Sequence, residues 1–284
     1  MSRPPVTAQT RIAGVVGHPV RHSLSPVIHN AWLEAAGIDA VYLAFAPRPE
    51  GFETLVRGLV GGVALGLNVT LPFKERAAAI ADYTTPEVLR SGAANLLVFR
   101  PDGGIGADNT DGVGLIAALA GAGFQPRTGP VVVLGAGGAA RGAVLSLLDA
   151  GAPEVRIVNR SLERARAIAA LDPRIQVEGW EAAARALAGA AAVINATSLG
   201  MTGQPPLELM LNAAPQTAVV LDMVYRPLRT PLILAAEARG HPTADGLAML
   251  IGQAVPSFTA LFGADPPEDV DVLRLCQEAL GESR

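Results

Sequence analysis

A short apolar run that ends in closely spaced glycines restricts the fold of this chain more than any other feature. Residues 131–140 read VVVLGAGGAA, so a β-branched strand leads into a glycine-rich turn and then an alanine-rich segment with helical spacing. In a dinucleotide site the first glycine permits the tight turn, and the next lets the backbone approach a pyrophosphate at the helix start. The pattern predicts a Rossmann-like α/β domain, although a glycine-rich turn without a ligand has the same local sequence.

The residues after the next predicted strand distinguish between the two nicotinamide cofactors. The strand at 155–158 is followed by Asn-Arg-Ser, where NAD-binding chains usually carry an acid for the ribose hydroxyls. The guanidinium of Arg160 matches the geometry of a phosphate, and Arg164 follows one helical turn later. We therefore predict NADP as the cofactor, with Arg166 interpreted as a solvated helix charge.

Length, charge and cysteine content limit the class of protein. The chain has 284 residues, half of them hydrophobic and few aromatic, which predicts two α/β domains with cores of Ala, Val and Leu. A net charge of −4 without a basic block argues against nucleic-acid or membrane partners. With Cys276 as the only cysteine and no ligand-like histidine spacing, no disulfide framework or metal site is predicted. Polar, proline-rich residues 1–10 and the lack of a long apolar run favour a cytoplasmic protein without a signal peptide.

Strand and helix patterns alternate along the chain, which predicts mostly parallel sheets. Strands are predicted at 11–16, 41–45, 64–69, 95–99, after the turn at 101–104, and at 131–134, 155–158, 192–194 and 218–221. Helices are predicted from Ser25 (as the cap, with Pro26 in the first helical position), over 52–59, from Lys74, and over 112–122, 247–262 and 269–280. The helix at 112–122 and the polar break at 125–129 form the predicted hinge.

Four polar clusters lie at predicted strand ends in the first half, where open α/β sheets bind ligands. In chain order they contain Ser23 with Ser25, Thr70 with Lys74, Asn95, and Asp111. Two hydroxyls beside a helix start suit a carboxylate. Taken singly, a surface lysine and a helix-capping aspartate also have ordinary structural explanations.

These clusters and the glycine-rich turn resemble the motifs of shikimate dehydrogenases, in the same order. The matching segments are SLSP at 23–26, NVTLPFK at 68–74, NTD at 109–111, GAGGA at 135–139, NR at 159–160, NATSLGM at 195–201, DMVY at 222–225, and 246–253. The resemblance extends over nearly the whole chain. It implies the NADPH-dependent, reversible reduction of 3-dehydroshikimate to shikimate in aromatic amino-acid biosynthesis.

The same resemblance implies two domains with a cleft between them. The C-terminal helices of the family return to the first domain, so residues 1–112 and 247–284 form the expected substrate-binding and catalytic domain. Residues 113–246 form the expected Rossmann domain for NADP. The protein is expected to be a monomer or a homodimer.

The resemblance also implies roles for individual residues. Lys74 and Asp111 form the expected catalytic pair, with Lys74 either a proton shuttle, which we favour, or a charged donor that polarises the carbonyl. The expected substrate ligands are Ser23, Ser25 and Tyr225 for the carboxylate, and Thr70, Asn95, Asp111 and Gln253 for the ring. The expected NADP contacts are Gly135, Ala136, Gly137, Gly138, Ala139, Asn159, Arg160, Arg164, Thr197, Met223 and Gly246.

Three other functions are compatible with parts of this pattern. A quinate/shikimate dehydrogenase tends to accept NAD and to alter the serine pair, whereas both serines and Arg160 are present here. An aminoshikimate dehydrogenase can share every motif. A ligand sensor without turnover would be free to lose Lys74 or Asp111, and both are present.

Overall fold

The computed structural model describes residues 5–281, which form two compact units. The first unit takes the chain up to Thr110 and from Gln253 onward, and the second unit is Asp111–Gly252. Residues 1–4, which belong to the predicted polar segment 1–10, lie outside the described residues, and so do residues 282–284 of the predicted first domain. Within residues 5–281, no helix combines the length and apolar character needed to cross a membrane.

Strands and helices alternate through most of the first unit. Its strands are β1 (Arg11–Val16), β2 (Ala40–Phe45), β3 (Ala64–Val69), β4 (Tyr83–Thr84), β5 (Leu96–Phe99) and β6 (Ile105–Asp108). Its first helices are α1 (Ser25–Ala35), α2 (Phe52–Leu59), α3 (Lys74–Ala79) and α4 (Pro86–Ser91).

The second unit repeats this alternation. Its strands are β7 (Val131–Leu134), β8 (Val155–Val158), β9 (Ile175–Glu178), β10 (Ala192–Asn195), β11 (Val219–Asp222) and β12 (Thr243–Asp245). Its helices are α5 (Asp111–Gly121), α6 (Gly138–Asp149), α7 (Leu162–Ala169), α8 (Ala183–Leu187) and α9 (Pro231–Ala238). Helix α10 (Gly246–Phe262) begins in the second unit and ends in the first, which also contains α11 (Val272–Leu280).

The first sheet is mixed, and its antiparallel strand β5 places several loops at the same edge of the sheet. The strand order is β2-β1-β3-β5-β6-β4, with β1 parallel to β2 and β3, and β5 antiparallel to β3 and β6. A tight turn makes β5 and β6 an antiparallel pair, because Gly103 has a φ of +84° and Arg100 and Gly104 are hydrogen-bonded across the turn. The residues after β3, before β5 and after β6 therefore lie at the same edge.

The second sheet is fully parallel, with the order β12-β11-β10-β7-β8-β9. This is the doubly wound dinucleotide-binding order, whose switch point lies between β7 and β10. Strand β7 packs on both faces, since Val131 and Val133 belong to one hydrophobic cluster and Val132 and Leu134 to another. Burial on both faces explains why its sequence is continuously apolar.

Most predicted elements agree with the structure, and the fold class is confirmed. Strands β1 and β3 and helix α2 have the predicted bounds. The prediction that Ser25 caps α1 is wrong: Leu24 is the N-cap, and Ser25 is the first helical residue. Three strands were not predicted from the sequence, and all three are short edge strands: β4, β9 and β12. A strand of two to four residues with one neighbour is too short to show a hydrophobic period.

Candidate functional site

Two predicted serines form a hydrogen-bonded pair at the start of α1. The Ser23 hydroxyl donates to Ser25 Oγ over 3.2 Å and accepts the Ser25 N–H over 3.3 Å. Ser25 is buried and also hydrogen-bonds the Tyr42 hydroxyl. The serine that sequence reasoning assigned to the helix cap is therefore part of a polar cluster.

Lys74 is held at the same edge of the first sheet, at the first position of α3. Phe73, directly before it, is fully buried and stacks on Phe52 with 4.5 Å between ring centroids. The Lys74 carbonyl accepts the N–H of Ala94 over 2.9 Å. These contacts place the half-buried lysine next to the segment that leads into Asn95.

Thr70 is held by backbone and by close packing. Its N–H donates to the Val16 carbonyl over 2.9 Å, which joins the end of β3 to the end of β1. A Cβ at Gly17 would lie 2.3 Å from Thr70 Cγ2, so only glycine allows this approach. The serine loop after β1 and the threonine loop after β3 are therefore neighbours.

Asn95 and Gln253 are in contact although 158 residues separate them in the chain. Asn95 Nδ2 donates to Gln253 Oε1 over 2.9 Å and to Thr110 Oγ1 over 3.0 Å. Asn95 Oδ1 accepts the Thr110 N–H over 2.8 Å. Thr110 is buried, and sequence reasoning did not select it, since only Asp111 was chosen from this segment.

Three further polar residues at this edge were missed by sequence reasoning. Asn68 Oδ1 accepts the Tyr42 hydroxyl over 2.8 Å, and Asn68 Nδ2 donates to Ser257 Oγ over 2.9 Å. Burial raises the pKa of Tyr42, so its hydroxyl stays protonated as a donor. The one available signal was a polar Asn68 inside an otherwise apolar strand.

In the second unit, the predicted glycine turn lies at the switch point of the parallel sheet. Gly135 has a φ of +110°, and a Cβ there would lie 3.0 Å from Thr197 Cγ2 and 3.2 Å from the Ala196 carbonyl oxygen. A Cβ at Gly137 or Gly138 would meet no atom within 4 Å, and both residues are exposed. With Ala136 and Ala139, they form a turn whose backbone is open to an anion where α6 begins.

A cavity of about 430 Å³ lies beside this turn. Its lining includes three of the predicted NADP residues, Asn159, Arg160 and Thr197, together with Trp180 and Glu208. The Asn159 side chain donates to the Ser161 carbonyl over 2.8 Å, which holds the strand end. Arg164 is exposed and is not among the residues that line this cavity.

A buried carboxylate organises the ends of β10 and β11. Asp222 accepts hydrogen bonds from Asn195 Nδ2 over 2.8 Å, from Thr230 Oγ1 over 2.6 Å and from the Val224 N–H over 3.0 Å. Burial raises the pKa of Asp222, and these three donors oppose that shift. The Thr197 hydroxyl donates to Asn195 Oδ1 over 2.7 Å, so the same cluster holds Thr197.

The remaining predicted residues of the second unit lie near these strand ends or at the start of the unit. A Cβ at Gly246 would lie 2.2 Å from the Met223 carbonyl oxygen, so these two predicted NADP residues are adjacent. Tyr225 is half-buried and follows the Asp222 cluster in sequence. Asp111 is the first residue of α5 and half-buried. Within residues 5–281, no group of three or more His, Cys, Asp or Glu side chains is arranged to hold a metal ion.

The chain is similar over almost its whole length to proteins of known activity. Residues 15–97 match the model of the shikimate dehydrogenase substrate binding domain, and residues 119–204 match that of shikimate / quinate 5-dehydrogenase. A shikimate dehydrogenase (NADP(+)) of Caulobacter vibrioides is 51% identical over 280 residues, which cover 98% of each chain.

Two solved structures have the same fold. The crystal structure of shikimate 5-dehydrogenase from Thermus thermophilus in complex with NADP(H) and shikimate has a TM-score of 0.84 and 34% identity, covering 95% of this chain and 98% of that one. Quinate dehydrogenase from Corynebacterium glutamicum in complex with NAD has a TM-score of 0.85 and 27% identity, covering 96% of this chain and 99% of that one.

Proposed function

This chain belongs to the shikimate dehydrogenase family, and from that premise we propose that its residues carry out the NADPH-dependent, reversible reduction of 3-dehydroshikimate to shikimate. The enzyme is an NADP-dependent oxidoreductase that acts on a CH–OH group. We assign substrate binding to the first unit and NADP binding to the second.

One observation supports the residue assignment: Lys74 begins α3 directly after the Thr70 loop, and its backbone is joined to the segment that leads into Asn95. Its backbone is bonded to Ala94, and Asn95 follows with its amide bonded to Gln253. A half-buried charged side chain on a sheet edge that also carries hydroxyl and amide residues is suited to a polar, hydroxylated substrate.

Reduction of a carbonyl needs a hydride at carbon and a proton at oxygen. NADPH supplies the hydride when it is bound. We assign the proton to Lys74 and propose Asp111 as its catalytic partner. The Ser23 and Ser25 hydroxyls, with Tyr225, bind the substrate carboxylate, while Thr70, Asn95 and Gln253 bind the ring hydroxyls.

The second unit fits the dinucleotide at two places. The exposed backbone of Gly137 and Gly138, at the start of a twelve-residue helix, suits the pyrophosphate. The cavity lined by Asn159 and Arg160 suits the adenosine end, with the Arg160 guanidinium as ligand of the 2′-phosphate. This arrangement supports NADP over NAD.

Initial rates on shikimate and on quinate, each with NADP and with NAD, test the proposal. We expect rapid appearance of NADPH absorbance with shikimate and NADP only. Lys74→Met should lower kcat by about 10²–10⁴-fold, the range typical of general acid–base groups, with the thermal unfolding midpoint retained. Turnover of quinate, or a preference for NAD, would show that the enzyme is a quinate/shikimate dehydrogenase and not an NADP-dependent enzyme that acts on shikimate alone. No turnover in any combination would favour a sensor.

We further propose a cytoplasmic enzyme that is a monomer or a homodimer. A buried Cys276 thiol supports an assembly without intermolecular disulfides, because burial raises its pKa to about 11 and suppresses the reactive thiolate. Light scattering during size-exclusion chromatography gives the oligomeric state, and fractionation of cells gives the location. A higher oligomer, or activity outside the cytoplasm, would contradict this proposal.

A further inference from the structure

Four residues, Tyr42, Asn68, Thr110 and Ser257, connect the proposed substrate ligands of the first unit to one another. We call these four residues the inner network. Tyr42 is hydrogen-bonded to Ser25 and donates to Asn68, while Thr110 is bonded to Asn95. Asn68 and Ser257 join these two halves, at 2.9 Å between Nδ2 and Oγ.

Ser257 occupies the centre of the network and is fully buried, with 0% of its surface exposed. Its hydroxyl donates to the Gln253 carbonyl over 3.1 Å, one turn earlier in α10. Its oxygen accepts from Asn68 Nδ2, and it lies 3.2 Å from Thr110 Oγ1. With the single serine proton directed at Gln253, Ser257 Oγ is an acceptor toward Thr110, whose hydroxyl proton lies within reach of Ser257 Oγ at 3.2 Å and of Asn95 Oδ1 at 3.3 Å.

The hydrogen bonds of Asn95 determine the orientation of the Gln253 side-chain amide. A backbone N–H, that of Thr110, fixes Asn95 Oδ1 as an acceptor, so Asn95 Nδ2 points toward Gln253. Only the carbonyl oxygen of the Gln253 amide can accept that N–H. The Gln253 Nε2 group is then the part of the amide that is directed elsewhere, as a donor for a ring hydroxyl.

We propose that Ser257 and Asn68 are positioning residues for substrate binding, which act through Asn95 and Gln253. This inference rests on the function proposed above. Ser257 holds Thr110 Oγ1 in the position where it accepts the hydrogen bond from Asn95 Nδ2. Asn68 Nδ2 donates to the backbone carbonyl of Asn95 over 3.2 Å and so holds the backbone of that residue. The inner network therefore sets the geometry of two ligands that come from distant parts of the chain.

The test compares Ser257→Ala with Thr259→Ala, a matched control on the same helix. Thr259 also donates its hydroxyl to the carbonyl four residues earlier, over 3.2 Å, but it lies near the surface and bonds Asp265. Wild-type turnover of shikimate with NADP is measured first, so that failure of the proposed function is seen separately. Ser257→Ala should then raise the KM for shikimate by about tenfold, as expected for a lost buried hydrogen bond. Its KM for NADP should stay within about twofold, and Thr259→Ala should change neither constant.

A double-mutant cycle distinguishes positioning from a general loss of structure. In a Gln253→Ala background, Ser257→Ala should raise the KM for shikimate by a smaller factor than in the wild type, because the part of its effect that passes through the Gln253 side chain is already lost. If Ser257→Ala does not fold, Ser257→Cys preserves the volume with a weaker hydrogen-bonding group and takes its place. Full additivity of the two changes, or equal increases in the two KM values, would overturn the proposal. With an inactive wild type, the proposed function itself fails, and the inference fails with it.

Discussion

Arg160 is the residue on which the proposed cofactor preference depends. Replacing it by alanine removes one or two charge-assisted hydrogen bonds to the 2′-phosphate, each about 1.5–3 kcal/mol. We expect Arg160→Ala to raise the KM for NADP by about 10–10⁴-fold and to change the KM for NAD by less than about twofold. Initial rates with varied cofactor at saturating shikimate measure both constants.

Two neighbouring arginines serve as comparisons for Arg160. Arg166→Ala should leave both cofactor constants unchanged, because Arg166 is an exposed residue of α7. Arg164→Ala tests the prediction that this residue also binds the phosphate, although it does not line the cavity. An Arg160→Ala enzyme with an unaltered KM for NADP would contradict the basis of the NADP prediction.

His29 should make stability depend on pH, although it has no assigned catalytic role. It stacks on Tyr42 with 4.1 Å between ring centroids, lies near Trp32 and Phe258, and its Nδ1 has no hydrogen-bond partner. Burial lowers the pKa of His29 from 6.5 to about 3. Between these values the unfolded chain takes up the proton and the folded chain does not, so stability falls as the pH is lowered. The expected slope is about 1.4 kcal/mol per pH unit.

Urea unfolding between about pH 7 and about pH 5 measures this slope in the window that the His29 shift defines. His29→Phe keeps an aromatic ring in the stack and should flatten the curve. His18→Gln, at an exposed histidine, should preserve it. Equal slopes in the wild type and His29→Phe would show that another group causes the pH dependence.

At the scale of elements, the glycines of the β7–α6 connection have different requirements. Gly135 has a φ of +110° and packs against the β10 loop, whereas a Cβ at Gly142, inside α6, would meet no atom within 4 Å. Gly135→Ala should lower the free energy of unfolding by about 1–3 kcal/mol and weaken NADP binding. Gly142→Ala should raise the free energy of unfolding by about 0.5–1 kcal/mol, because alanine is the better helix former.

Chemical denaturation and NADP titration of the two variants test this contrast. A Gly135→Ala protein with native stability and native affinity for NADP would show that the turn tolerates a side chain. A loss of stability in Gly142→Ala would show that α6 packs more tightly at that position than the open space around it indicates.

Elements were predictable from sequence where a strand or helix has a long apolar face or a strong boundary. Strand β3 is such a case, since its mostly apolar run ends at Thr70, two residues before Pro72. Strand β12, Thr243–Asp245, was not predictable, because three residues at a sheet edge carry no period. The N-cap of α1 was assigned to Ser25 on residue type alone, and tertiary hydrogen bonds direct that hydroxyl elsewhere.

At the scale of the whole molecule, the two ligands should protect different units. If the second unit binds NADP, amide hydrogen exchange should slow at 135–140 and 197–199 when NADP is added. Shikimate should slow exchange around Ser25 and Asn95 in the first unit. NAD at the same concentration, as the matched ligand, should protect the second unit less. Protection by NADP that is confined to the first unit would contradict the assignment of the domains.

The sequence by itself determined the class of fold, the family and the cofactor. These depend on local chemistry: a glycine turn after a buried strand, an arginine where NAD-binding chains usually carry an acid, and polar motifs in a fixed order. Only the tertiary structure decided which polar residues converge, because hydrogen bonds such as those of Ser257 to Asn68 and Thr110 join positions far apart in the chain. Short-range sequence patterns do not specify such contacts. A buried serine in a helix and a surface serine have the same local sequence signal, and only the packing of the surrounding elements distinguishes them.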